Sequence, residues 1–128
     1  MTLITNDVMH STLRGDLVLA ELQELLQIIE RVRAQRGMIF LLSDTRQLGT
    51  IEPAARQYGV KWARTHTVEG SAIYGAGLMA RALITLIERA ITLVRPHPLP
   101  TVFFATEAQA RAWIDAQRQK LYGKSSHK

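Results

Sequence analysis

Between Gly37 and Ser43-Asp44 the chain passes through five consecutive apolar residues, Met38-Ile39-Phe40-Leu41-Leu42. A run of that length suits a strand covered on both faces, which is the situation inside a parallel sheet. Parallel strands need long crossovers, usually helical, and the flanking sequence supplies them. Upstream, Leu17, Val18, Leu22, Leu25, Leu26, Ile29 and Val32 recur at three- and four-residue steps, with Glu21, Glu24, Gln27, Glu30, Arg31 and Arg33 on the other face. The spacing predicts an amphipathic helix, with Asp16 as N-cap and Gly37 just past its end. Downstream, Thr45–Ile51 reads as a loop, and Pro53 fits the first turn of a second helix running to about Thr67.

The same alternation continues to both ends. Val8–Leu13 alternates as a strand closing at Gly15, with a shorter strand at Thr2–Thr5 turning back through Asn6-Asp7. Gly70–Gly75 is a strand of small residues. Leu78–Val94 is a strongly apolar helix whose polar residues Arg81, Thr85, Glu88, Thr92 and Arg95 form one narrow stripe. Arg95-Pro96-His97-Pro98-Leu99-Pro100 forms a stiff connector. Thr101–Ala105 is the last strand, and Thr106 with Gln109 makes a capping box for a final helix carrying Trp113, Ile114 and Leu121. The expected fold is a small α/β domain with a mostly parallel or mixed sheet of four or five strands and about four helices. Residues 1–122 form this single domain, and 123–128 form a disordered basic tail.

Composition closes off several classes of function. At 47% hydrophobic and 21% charged over 128 residues, the chain is an ordinary globular one. With no cysteine, disulfide frameworks, thiolate metal sites and cysteine nucleophiles are excluded. No basic segment followed by an apolar one opens the chain, so the expected location is cytoplasmic. The net charge of +5 invites a nucleic-acid reading, but residues 117–128 hold four of the sixteen basic residues and no acid, leaving 12 basic against 11 acidic in the rest. Phosphate-backbone binding needs cations gathered on one face, so no specific nucleic-acid partner is expected.

Catalytic patterns are missing as well. His10, His66, His97 and His127 include no i, i+4 pair and no acids at metal-ligand spacing. Gly70-Ser71 is not a nucleophile elbow. Gly75-Ala76-Gly77 follows a strand and opens a helix, but Ala80 stands where a dinucleotide fingerprint requires its third glycine. No catalytic residue, metal or cofactor is expected. Two features remain. The segment after the apolar strand, with Asp44, Arg46, Leu48, Thr50 and Glu52, leaves the carboxyl end of a parallel strand, where α/β domains place partners; the same residues would also satisfy backbone donors around a turn and cap. The helix Leu78–Val94 is too apolar for one covered face, and Arg81, Glu88 and Arg89 interrupt it too often for a membrane span.

Several local sequences resemble the SpoIIAA-like proteins, the bacterial STAS/SEC14-type group. They are Leu41-Leu42-Ser43-Asp44, Arg46-Gln47-Leu48-Gly49, Ile51-Glu52-Pro53-Ala54-Ala55-Arg56, Ala72-Ile73-Tyr74-Gly75, and the ending Val102-Phe103-Phe104-Ala105-Thr106-Glu107 through Trp113-Ile114. The resemblance implies a STAS-like regulatory fold. STAS-type anti-sigma-factor antagonists carry a phosphorylatable serine in a D-x-S-x-x-x-x-[IL]-D-S pattern. Laid on this chain, Asp44 and Ile51 match, Glu52 stands for the second acid, and Arg46 and Pro53 occupy the two serine positions. The phosphoswitch therefore does not carry over.

The expectation is a non-enzymatic STAS-like interaction domain that forms a homodimer and meets a protein partner through Asp44–Glu52, with Arg46 as the charged anchor. The alternative is a small apolar ligand or lipid, as the SEC14 side of the resemblance implies, held beside helix 78–94. In either case Met79, Leu83, Leu86 and Ile87 are the expected dimer or ligand surface.

Overall fold

The structure is a computed structural model and describes residues 2–126 apart from Pro96 and Pro98. In chain order the elements are β1 (Thr2–Thr5), β2 (Val8–Leu17), α1 (Leu19–Arg36), β3 (Phe40–Ile51), α2 (Pro53–Ala63), β4 (Gly70–Tyr74), α3 (Leu78–Val94), β5 (Thr101–Phe104) and α4 (Glu107–Ser126). The five strands form one sheet in sequence order, β1-β2-β3-β4-β5. Only the β1–β2 hairpin is antiparallel; the other three pairings are parallel. A mixed α/β sheet with four helices is thus the fold.

Side chains leave a strand on alternate faces, and β3 uses both. Phe40 and Leu42 join Ala72, Tyr74, Ala110 and Ile114 under α4. Leu41 packs the opposite way, toward Met9, Leu26, Ile29, Val32, Ile39 and Val68 beside α1. On that side a further cluster of Leu17, Ile51 and Ala55 takes Leu83, Ile84 and Ile87 from α3. The double covering expected for the apolar run is present, because α1–α3 and α4 lie against opposite faces.

Several boundaries differ from the sequence reading. The segment Thr45–Ile51, expected as a loop, is strand: β3 outruns β4 and continues as a two-stranded ribbon with β2, pairing Gln47 with Arg14, Leu48 with Gly15 and Ile51 with Leu17. Register shifts at Thr12/Arg14 and Gly15/Leu17 mark bulges. Because β2 is still paired at Leu17, Asp16 does not cap α1. Val18 occupies the N-cap position, the Leu19 N–H donates to Glu52 Oε1 at 3.4 Å, and Asp16 Oδ1 instead accepts from the Thr50 N–H at 2.9 Å. α2 stops at Ala63 rather than Thr67, its last turn tightening through the Arg64 N–H to Lys61 O bond.

Other features match. Gly37 ends α1 in the left-handed region (φ 83) and donates to Arg33 O at 2.8 Å. The capping box before α4 is made: the Gln109 N–H donates to Thr106 Oγ1, and Gln109 Oε1 accepts from the Ala105 and Thr106 N–H groups. α4 is helical through Ser126, past Gly123, where the sequence reading begins a disordered tail. His127 and Lys128 of that tail, and Pro96 and Pro98 of the expected connector, lie outside the described residues.

Candidate functional site

Where β4 ends beside the middle of β3, polar side chains converge on the α4 side of the sheet. Asp44 is buried (5% exposed) and receives three bonds from Arg46: from Nε at 3.0 Å, from Nη2 at 2.6 Å and from the backbone N–H at 3.1 Å. This charge-assisted pairing outweighs burial and holds the Asp44 carboxyl below the usual carboxylate range. The stem of Arg46 lies over Gly75. A Cβ built there would overlap Arg46 Cγ, and Gly75 sits at φ 74, so glycine is needed both for backbone and for space. The Arg46 guanidinium ends 5.9 Å from the Tyr74 ring.

Tyr74 belongs to a closed ring of hydrogen bonds. Arg111 Nη2 and His10 Nδ1 lie 3.3 Å apart; a guanidinium can only donate, so Nδ1 accepts and the imidazole proton sits on Nε2. His10 Nε2 then donates to Tyr74 Oη at 2.8 Å, and Tyr74 Oη donates to Glu107 Oε1 at 3.3 Å. Arg111 Nε closes the ring on Glu107 Oε2 at 2.7 Å. Burial, reinforced by the Asp44 and Glu107 charges, pushes the Tyr74 phenol up to about 12. Arg111 holds the Glu107 carboxyl below its usual range. The buried Thr45 hydroxyl donates to Tyr74 O at 3.0 Å. Every ring member is spoken for. The arrangement ties α4 to β2 and β4.

Of the five residues expected to form a partner-facing loop, Asp44, Arg46, Leu48 and Thr50 are distributed along β3, and Glu52 follows it at the N-cap of α2. Asp44 points inward, Arg46 is exposed but paired, and Leu48 is half-buried against the Leu17–Ile51–Ala55 cluster. Thr50 is exposed with its N–H tied to Asp16, while Glu52 serves the start of α1. The ring residues His10, Tyr74, Glu107 and Arg111 were not singled out from the sequence. The four come from three elements, with members up to 101 positions apart, and no local spacing announces such a meeting.

α3 divides the other expected surface in two. Leu83 and Ile87 are half-buried and pack against the core cluster. Leu78 (88% exposed), Met79 (82%), Leu86 (57%) and Leu93 (86%) face outward. The polar stripe turns instead toward neighbouring protein: Arg81 sits 4.9 Å from the Phe103 ring, and Glu88 bonds to Thr101 of β5, with burial raising its carboxyl. Arg95 donates to Ala63 O and His66 O, beyond the end of α2. Grooves flank the outward ridge. One, of about 490 Å³, lies between α2 and α3 and is lined by Pro53, Arg56, Gln57, Val60, Leu86, Ile87 and Ala90. The other, of about 520 Å³, includes Arg81, Arg89 and Phe103. Beside the first, Arg56 Nε is buried without a hydrogen-bond partner.

Among the described residues no group of three or more His, Asp or Glu side chains is placed to hold a metal ion, and no helix is long and apolar enough to cross a membrane. A five-stranded sheet with one antiparallel edge, four helices and a strand–helix junction at Ile51–Pro53 define a SpoIIAA-like α/β domain. The SpoIIAA-like family model matches residues 8–115, and the chain belongs to that family. Its fold is similar to that of an uncharacterized DUF3478-family protein with a SpoIIAA-like fold from Shewanella loihica PV-4, at 20% identity over 88% of this chain and 89% of that one, with a TM-score of 0.59. It is likewise similar to the anti-sigma factor antagonist SpoIIAA in its unphosphorylated form, at 12% identity over 90% and 96% of the two chains, with a TM-score of 0.60. No curated protein matches significantly.

Proposed function

We propose that this SpoIIAA-like domain is a non-enzymatic, cytoplasmic interaction module that works as a homodimer and has no serine phosphoswitch. The observation that carries this reading is the outward face of α3, where Leu78, Met79, Leu86 and Leu93 stand in solvent together on one helix, the largest group among the exposed apolar side chains. Leaving such side chains uncovered forgoes about 1.5–3 kcal/mol each relative to full burial, and an isologous pair covers two copies of one patch at once. The absence of a phosphoswitch is supported by Arg46, which stands at the first serine position and is bound to Asp44, and by Pro53, which stands at the second and opens α2. The exposed edge of β3 from Arg46 to Thr50 is the surface offered to a further protein partner.

Light scattering with native mass spectrometry tests this. The expected result is a dimer free of ligand that Leu86→Glu converts to a monomer with an unchanged melt. A monomer at all concentrations overturns the reading. The alternative is an apolar ligand in the α2–α3 groove, whose floor includes Val60, Ile87 and Ala90; a lipid-sized mass retained on freshly purified protein would favour it. Exposure to an anti-sigma-type serine kinase should add no phosphate, and stoichiometric modification of Thr45 or Thr50 would restore the switch.

A further inference from the structure

We infer that the two copies pair through α3 in antiparallel register, with Leu86 on the two-fold axis; this rests on the homodimer reading above and adds its geometry. Along this face Met79, Ala82, Leu86, the half-buried Ala90 and Leu93 stand at offsets of −7, −4, 0, +4 and +7 from Leu86, with the exposed Leu78 and Arg89 beside the row. Large and small side chains therefore alternate in the same order in both directions. On a helix of 3.6 residues per turn, Met79, Leu86 and Leu93 form a nearly straight ridge, and each alanine leaves a hollow beside it. An antiparallel two-fold seats Met79 against Leu93 of the second copy, sets Ala82 beside its Ala90 for close approach, and lets the two Leu86 side chains meet.

Charge favours the same direction. α3 has no acid in its first turn and no basic residue in its last, and the cation at its C-cap, Arg95, is directed to Ala63 O and His66 O rather than to the end of its own helix. Antiparallel pairing brings the positive amino end of one α3 beside the negative carboxyl end of the other, whereas parallel pairing sets like poles together. The copies of Arg89, three positions from the axis, are then separated by six positions, about 9 Å along the helix, and do not crowd. The ridge is about 21 Å long and about 10 Å wide, which falls short of the ~800 Å² per partner of a standard interface. The two-fold places both α2 helices on one side of the pair, where Pro53, Arg56 and Val60 of the α2–α3 groove supply further area.

Because the chain has no cysteine, the register can be read by cross-linking the full chain with a short bis-maleimide. Leu86→Cys should cross-link to itself. Met79→Cys and Leu93→Cys should cross-link only when the two variants are mixed, and Ala82→Cys with Ala90→Cys gives a second mixed pair should one of the first fail to show a cooperative melt. Met79→Cys linking to itself would establish a parallel pair and overturn the inference. A dimer by light scattering in which Leu86→Cys stays unlinked would also overturn it, while leaving a homodimer through another surface. A monomer by light scattering would overturn both.

Discussion

α3 and α4 lie against opposite faces of one sheet and spend their apolar residues in opposite ways. α4 is a polar helix overall, yet Ala110 and Ile114 are buried against Phe40, Leu42, Ala72 and Tyr74, and its first turns are pinned by the His10–Tyr74–Glu107–Arg111 ring. α3 is the most apolar helix of the chain, but only Ala80 and Ile91 are fully buried along it. A helix's apolar content thus says how much it could bury, and its neighbours decide how much it does. On the α4 side a few well-placed side chains complete a closed layer; on the α3 side an excess remains with nothing in the monomer to meet it.

That contrast can be broken by truncating each side. Phe40→Ala removes a fully buried ring from the α4 layer and should cost about 3–5 kcal/mol, read from urea unfolding. Leu86→Ala should change the stability of the isolated monomer by no more than about 0.5 kcal/mol while weakening self-association, read by sedimentation. Equal losses for the two would show that the faces are not different after all.

Gly75→Ala probes the α4 side more gently. The left-handed backbone alone should cost about 1–2 kcal/mol, and the added methyl must displace the Arg46 stem. With Arg46 moved, the Asp44 carboxyl should titrate higher, which carbon-detected NMR of the carboxylates can follow.

Acid distinguishes the two sides further. Asp44 and Glu107 are both held below their unfolded values, by Arg46 and Arg111, so each contributes stability that is present above the unfolded value and lost as pH falls through the folded one. Asp44→Asn should therefore flatten the acid limb of the stability–pH curve. Glu88, on α3, has the opposite sign: burial raises its carboxyl, so its contribution is present at low pH and lost as pH rises through the folded value. Glu88→Gln should raise the melting temperature slightly at neutral pH and lose that advantage in acid. It is the smallest effect of the set.

What the sequence disclosed follows from where signals are local. Leu78–Val94 and the Thr106–Gln109 box read correctly because periodicity and capping are written within a few positions. Thr45–Ile51 did not read as strand, because beyond Asp44 β3 pairs only with β2 and exposes Arg46, Gln47, Gly49 and Thr50, leaving too little apolar alternation to see. The orientation of α3 was hidden for another reason. The sequence shows a polar stripe but not what it faces, and only the positions of Phe103, Thr101 and the end of α2 show that the stripe has protein partners. The paired state of Arg46 is equally out of reach, since its stem lies over Gly75, just past the end of β4.

Because the strands are stacked in the order they are written, each one emerging during synthesis finds its neighbour already waiting at the open edge, with only a helix-length loop to close. Assembly can therefore keep pace with translation up to β5. The exception is the last element: until α4 arrives, Phe40, Leu42 and Ala72 remain bare on a nearly complete sheet. Chains terminated before Glu107 should accordingly be sticky, chaperone-bound species, and the carboxyl-terminal helix acts as the quality mark that separates a finished molecule from an aborted one.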